Sequence, residues 1–274
     1  MDTSTSLRRR VSMAVQVFTS SIGFGRKGTV IWDSPEMIAM QVFLLPLFQI
    51  SFFAVLAQYL DYSGSAVQYI VVGNALQAMS YSAVFAVANI TSTDKWQGTL
   101  ETLMVTPANR MALFVGRAVF QSGLSALIAL GGLFYASELF GVSFAHADVV
   151  GVLLVVLVTS VTMMCFGLLI SSVGLFLRTA MILANIFLFL TMLVSGVNFP
   201  LSTLPGWAQP VGYAIPMTYG TSAIRLAISG ASLGGIGSLV ADEVLVGAVA
   251  IMLGYLTMVG FERLARKTGR FEEY

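Results

Sequence analysis

The sequence predicts an all-α integral membrane protein with six transmembrane helices. Of its 274 residues, 57% are hydrophobic and only 10% are charged, whereas soluble domains carry about 25% charged residues. The apolar residues form long runs, and a run of about 20 can cross a bilayer as a helix. The short segments of alternating apolar and polar residues that are typical of a membrane β-barrel are absent from the sequence.

Six apolar runs are long enough to be spans. They cover residues 37–59, 67–90, 112–137, 149–176, 181–199 and 244–261. An even number of spans places both termini on one side of the membrane. Thirteen of the fourteen Lys and Arg residues fall on that side, and Arg225 is the exception. By the positive-inside rule, this side is cytoplasmic.

The charged residues are expected at or beyond the ends of the spans. Ion-driven carriers use ionisable groups at membrane depth, so this distribution disfavours such a carrier. The chain has a single cysteine, Cys165, and a single histidine, His146, and no phosphate-binding G-x-x-x-x-G-K-[ST] motif. We therefore predict no catalytic, cofactor-binding or metal site, and no enzyme activity of the chain alone.

The N-terminal region predicts an amphipathic helix over residues 7–28 that lies in the membrane interface. Its apolar residues recur at helical spacing, as seen at Val11, Ala14, Val15, Phe18 and Ile22. A disordered basic tail is the alternative. Basic residues beside a span favour the anionic cytoplasmic leaflet, so the terminal Lys and Arg clusters do not require nucleic acid as a partner.

Several polar side chains fall within the predicted spans. Asn74, Gln77, Asn185 and Asn198 either form hydrogen bonds between helices, as such residues often do in membranes, or line a path for a substrate. The sequence leaves both interpretations open.

A polar segment between spans two and three predicts a short cytoplasmic helix over residues 94–106. Trp96, Leu100, Leu103 and Met104 fall on one helical face, and Pro107 prevents the helix from continuing. Such a helix either lies on the membrane or fits a groove of a partner protein.

The segment 200–229 follows span five on the external side. Prolines at 200, 205, 210 and 216 break it into helices too short to cross the bilayer, and Trp207, Tyr213 and Tyr219 suit the membrane interface. We predict an external re-entrant helical hairpin, with an ordinary external loop as the alternative.

Two motifs resemble those of type-2 ATP-binding-cassette (ABC) exporter permeases, the group that includes daunorubicin-type drug exporters. The first motif is similar to the family's coupling helix, which docks onto the ATPase subunit. It comprises Trp96, Gly98, Thr99, Leu100, Glu101, Leu103, Thr106, Pro107 and Arg110. The second is similar to the external hairpin that caps the translocation path. It comprises Pro200, Pro205, Trp207, Pro216, Tyr219 and Arg225. Many relatives carry glutamate where this chain has Gln97.

The resemblance implies that residues 1–274 form one permease domain in a bacterial-type plasma (inner) membrane. Its implied partners are two copies of a separate ABC ATPase subunit, which holds ATP and Mg, and a second permease copy or close paralogue. Membrane lipids and a small amphipathic substrate, such as a drug, antibiotic, lipid or glycolipid, are further implied partners; nucleic acid is not. A membrane scaffold that recruits a cytosolic partner through the 94–110 loop and an ATP-independent channel are the alternatives.

Overall fold

The structure is a computed structural model that describes residues 35–60, 62–96, 110–177 and 180–268, together with Ser20. Throughout these ranges the regular elements are helical and no strand occurs, which confirms the predicted all-α class. The predicted interfacial helix over residues 7–28 lies outside the described residues except for Ser20. Residues 97–106 of the predicted coupling helix lie outside them as well.

The helices of the described chain are numbered in order. They are α1 (Pro35–Ala39), α2 (Leu45–Tyr59), α3 (Gly64–Trp96), α4 (Arg110–Phe140), α5 (Val149–Leu177), α6 (Ala180–Val194), α7 (Gln209–Tyr213), α8 (Pro216–Ile228) and α9 (Leu233–Thr268). A π-helical segment, Met40–Leu44, joins α1 to α2, and a 3₁₀ turn, Leu201–Thr203, precedes α7.

Five helical segments of the described chain are long and apolar enough to cross a membrane. They are Glu36–Tyr59, Gly64–Ala88, Val115–Phe140, Val149–Gly174 and Leu233–Phe261. The fifth predicted span, 181–199, is shorter than expected, because α6 has 15 residues and a crossing needs about 20. The helix does not continue because the chain bends after Val194 and Gly196 adopts a left-handed conformation with φ +69°.

The last helix corrects an expectation about charge. The predicted span began at residue 244, but α9 begins at Leu233 and continues through Asp242 and Glu243. Asp242 is exposed, whereas Glu243 is fully buried against α5, where the Thr162 hydroxyl lies 3.1 Å from its Oε1. The expectation that every charged residue lies at or beyond a span end is therefore wrong for Asp242 and Glu243, which both lie within the Leu233–Phe261 segment.

Helix α3 forms the centre of the bundle. In the most apolar stretch of its span, 78% of the residues are buried, whereas only 17% are buried in the corresponding stretch of the Glu36–Tyr59 span. Small residues bring α4 close to α3, since a Cβ added at Gly132 would lie 2.9 Å from the Cβ of Ala75. Close approach through small residues is the usual way in which membrane helices gain packing contacts.

Helices α5 and α9 pack side by side and run in the same direction. A Cβ added at Gly151 would lie 3.3 Å from Ile236, and one added at Gly254 would lie 3.2 Å from the backbone of Leu169. The contacts occur in the same order along both helices, so the helices are parallel.

Helix α8 returns into the bundle beside α5. The Ala227 carbonyl accepts a hydrogen bond from the backbone of Asp148, just before α5 begins, at 3.0 Å. Gly220, nearer the start of α8, contacts Thr159, which lies within α5. The two helices are thus antiparallel, and the 13 residues of α8 reach only about 20 Å. This helix therefore enters the bundle without crossing it.

We predict that Gly132→Ala destabilises the protein by about 1–3 kcal/mol, because the added methyl group overpacks the contact between α4 and α3. Gly123→Ala is the matched control on the same helix, since a Cβ there meets open space. Thermal unfolding of both purified variants in one detergent measures the effect. Equal melting temperatures for the two variants would contradict the close contact.

Candidate functional site

The candidate site lies where the chain leaves α6. After Val194 the helix stops, so the carbonyl groups of its last turn and of the following bend have no helical partners. The carbonyl oxygens of Ser195, Gly196 and Val197, which we call the carbonyl cluster, accept hydrogen bonds from side chains of other helices.

Donors from α3 and α8 meet at this cluster. The Thr221 hydroxyl donates to the Ser195 carbonyl at 2.9 Å, and the Tyr69 hydroxyl donates to the Gly196 carbonyl at 3.0 Å. Arg225 donates from Nη1 to Gly196 at 2.9 Å and from Nη2 to Val197 at 3.0 Å. The end of α6 is thus held by both neighbouring helices.

Arg225 makes the largest number of contacts at the cluster. Its Nη2 also donates to the Tyr69 carbonyl at 3.0 Å, and its guanidinium carbon lies 3.4 Å from the centre of the Tyr69 ring, within range of a cation–π interaction. Burial lowers the pKa of Arg225 to about 10, so the side chain is still a cation at neutral pH. Within the described chain its hydrogen bonds go to carbonyl groups and none to a carboxylate.

Gly73 makes room for this arrangement. A Cβ at this position would overlap the Val197 carbonyl and lie 2.6 Å from Nη2 of Arg225. The missing side chain lets the bend after α6 and the guanidinium group reach the backbone of α3.

The four predicted path residues do not form one group. Asn74 donates to the Ile70 carbonyl at 2.9 Å and to Oδ1 of Asn198 at 2.8 Å, so these two asparagines meet beside the carbonyl cluster. Gln77 instead donates to the Leu188 carbonyl on α6 at 3.2 Å. Asn185 is exposed on α6 and donates to the carbonyl of Met181 in its own helix at 2.9 Å.

The predicted hairpin residues differ in exposure, and Tyr219 and Arg225 are half-buried. Pro200, Pro205 and Trp207 are exposed. Pro216 is buried at the start of α8, and Tyr219, one turn further on, donates from its hydroxyl to the Tyr213 carbonyl at 3.0 Å. Only Arg225 of this set contacts the carbonyl cluster.

Of the predicted ATPase-coupling residues, the structure describes Trp96, at the end of α3 opposite Tyr69, and Arg110. The helix ends at Trp96 and α4 begins at Arg110, but the side chains of these two residues are not described. Gly98, Thr99, Leu100, Glu101, Leu103 and Pro107 lie outside the described residues.

Sequence reasoning did not identify Tyr69, Gly73, Gly196 and Thr221 as site residues. Tyr69 and Arg225 are 156 positions apart, and no local pattern connects them. The glycine at 196, just beyond an apolar run and shortly before a proline, was the one available signal of an early helix end.

The arrangement positions helices through hydrogen bonds from side chains to main-chain carbonyl groups. Among the described residues, no group of three or more His, Cys, Asp or Glu side chains could hold a metal ion. In a comparison with family models, residues 23–228 match the ABC-2 type transporter model. A comparison with curated proteins found no match.

We predict that Arg225→Met lowers the melting temperature, because it removes three charge-assisted hydrogen bonds and leaves the buried Val197 carbonyl without its side-chain donor. Arg225→Lys should give an intermediate loss, since an ammonium group cannot reproduce the planar fork of donors. Leu226→Ala is the control, because Leu226 is the next residue and is exposed. An unchanged melting temperature in Arg225→Met would contradict the structural role of the cluster.

Proposed function

Because the chain belongs to the ABC-2 type transporter family, we propose that it is the permease of an ATP-driven exporter for a hydrophobic or amphipathic compound. The family assignment makes the chain the membrane component of an ABC transporter, a component that is not itself catalytic. The export direction and the substrate class, which includes drugs, antibiotics, lipids and glycolipids, are part of the proposal.

The observation that carries the mechanism is the length of α3. The helix has 33 residues and ends at Trp96, so it is about 50 Å long and extends beyond a hydrocarbon core of about 30 Å. The extension leads directly into the segment that resembles a coupling helix. Its other end carries Tyr69, which contacts Arg225. One rigid helix thus connects the proposed ATPase contact with the hairpin.

We propose the following coupling. ATP, with Mg, binds to two separate ATPase subunits, and closure of these subunits moves the 94–106 segment. Helix α3 transmits the displacement as a rigid body to the carbonyl cluster and α8. The hairpin then changes its position over the path, and the substrate leaves on that side.

A second copy of the permease, or a close paralogue, completes the proposed transporter. Apolar side chains at Phe48, Phe52, Ile186 and Phe189 are exposed on the first span and on α6. By analogy with the family, these two elements contact the twin subunit, and the remaining apolar surface faces lipid. The basic residues on the side of the coupling segment support cytoplasmic termini in a bacterial-type plasma membrane.

We predict that the purified chain hydrolyses no ATP and that co-expression with its cognate ATPase gives a stable complex. Gly98→Trp and Glu101→Arg should reduce the co-purified ATPase at least tenfold, because they place a large or oppositely charged side chain in the docking segment. Co-purification followed by ATPase assay measures both effects.

The matched controls lie outside the coupling segment. Gly206→Trp makes the same change where a glycine meets open space, and Glu138→Arg makes the same reversal at an exposed glutamate. Both should keep the complex. If Gly206→Trp and Glu138→Arg lost the complex while Gly98→Trp and Glu101→Arg kept it, the assignment of the coupling segment would be wrong.

Transport assays separate the remaining functions. In vesicles, the exporter should move an amphipathic dye in a manner that depends on ATP. A scaffold would bind the ATPase without transport, and a channel would conduct in the absence of the ATPase.

A further inference from the structure

Glu243 is buried inside the bundle at a depth where a charge is costly. It lies eleven residues into α9 and is 0% exposed. Thr162, its hydrogen-bond partner, lies near the middle of the Val149–Gly174 span of α5. An ionised carboxylate without a partner is strongly disfavoured at such a position.

Three helices surround the carboxyl group. Thr159 and Thr162 come from α5, Glu243 comes from α9, and Gly220 closes the space from α8. A Cβ at Gly220 would overlap the Thr159 hydroxyl and lie 3.1 Å from Oε1 of Glu243. The backbone of α8 therefore covers the carboxyl group, and only a glycine fits at this contact.

The hydrogen atoms of this cluster favour the neutral acid. The Thr162 hydroxyl lies 3.1 Å from Oε1 of Glu243 and 3.1 Å from the Thr159 carbonyl, yet it has one hydrogen to donate. If Glu243 is protonated, its O–H donates to the Thr162 oxygen, and the Thr162 hydroxyl donates to the Thr159 carbonyl. Each of the two 3.1 Å contacts is then a hydrogen bond. If Glu243 is ionised, the Thr162 hydroxyl supplies the only hydrogen, so one of the two contacts is not a hydrogen bond.

No cation compensates the carboxyl group among the described residues. Helix α5 contributes Cys165 as its only titratable group, and Asp148 precedes its first residue. On α8, both Nη atoms of Arg225 donate to carbonyl groups, and the Tyr219 hydroxyl donates to the Tyr213 carbonyl. On α9, the adjacent Asp242 is exposed and would add negative charge.

A metal ion is a poorer occupant than a proton. Hard cations such as Ca²⁺ take six to eight oxygen ligands, whereas this cluster offers one carboxyl group, two hydroxyls and one carbonyl. The separation of 3.1 Å between the Thr162 oxygen and Oε1 suits a hydrogen bond.

We propose that Glu243 is a buried proton-binding site, which holds one proton at neutral pH and joins α5, α8 and α9 in that state. Release of the proton needs water to reach the carboxyl group, so it requires α8 to move away from Thr159. Proton release is thereby linked to the position of the hairpin helix. This inference concerns the chain alone and does not depend on the proposed export function.

Infrared spectroscopy of the full purified chain at pH 7.5, in a maltoside detergent that contains no carbonyl group, tests the proposal. Exposed carboxyl groups are ionised at this pH, so a remaining C=O stretching band of a carboxylic acid reports a buried acid. The wild type should have this band, Glu243→Gln should lose it, and Asp242→Asn, the adjacent exposed residue, should keep it. A wild type without the band would overturn the proposal.

Two further measurements keep the test decisive if Glu243→Gln does not fold. Thr162→Val should shift the frequency of the band, because it removes the acceptor of the acid; an unshifted band would contradict the assignment. The second measurement is the pH dependence of unfolding. Glu243 keeps its proton in the folded chain, whereas in the unfolded chain it releases the proton above a pKa of about 4.3.

Because the folded chain holds one more proton than the unfolded chain, unfolding becomes more favourable as the pH rises. In the wild type and in Asp242→Asn, Glu243 should therefore increase the unfolding equilibrium constant tenfold per pH unit between pH 5 and 7. Glu243→Gln, or Glu243→Leu where the amide is not tolerated, should lose this contribution. An unchanged pH slope in a folded Glu243 variant would overturn the proposal.

Discussion

The hydrogen bonds of the backbone constrain this fold more than any other interaction. Lipid offers no donors or acceptors, so each carbonyl freed by a broken helix must find a donor within the bundle. The chain breaks after Val194 and supplies those donors from Arg225, Thr221 and Tyr69. The placement of α8 beside α3 and α5 follows from this requirement, because these donors must reach the end of α6.

The same contacts hold one end of α3 against the hairpin helix α8, whereas the other end of α3 precedes the predicted coupling segment. At one end its backbone and the Tyr69 ring hold Arg225, and at the other end the helix continues to Trp96. Since most of its span is buried, α3 cannot shift without displacing neighbouring helices. The contacts of α3 with α4 and α8 would therefore turn a small movement at one end into a rearrangement at the other.

Patterns within a short stretch of sequence predicted the helical class and the approximate spans. The apolar runs identified the helices, and the prolines from 200 to 216 predicted the broken segment after α6. The end of α6 at Val194 was not predicted, because the apolar character continues through Val197 and Phe199. Hydropathy records the preference for an apolar environment, and it does not record where the backbone turns.

The contacts of the site depend on residues far apart in the chain. Asn74 and Asn198 were predicted as members of a polar set, but the sequence did not pair them. Glu243 was expected at the beginning of a span, since a charge normally marks such a boundary. The threonines on α5 and Gly220 on α8 explain how a carboxyl group fits at depth, and only the packing of three helices brings them together.

The chemistry of the carbonyl cluster has a consequence for mutational tolerance. The acceptors of Arg225 are main-chain oxygens, and every amino acid has such an oxygen. Substitution at Val197 can therefore change the side chain without removing the acceptor. Tolerance is lower at Arg225, which supplies the donors, and at Gly73, where any Cβ would occupy the space of the guanidinium group. The acceptor oxygens thus survive any substitution, so sequence change on their side is limited instead by the left-handed conformation of Gly196 and the burial of Val197.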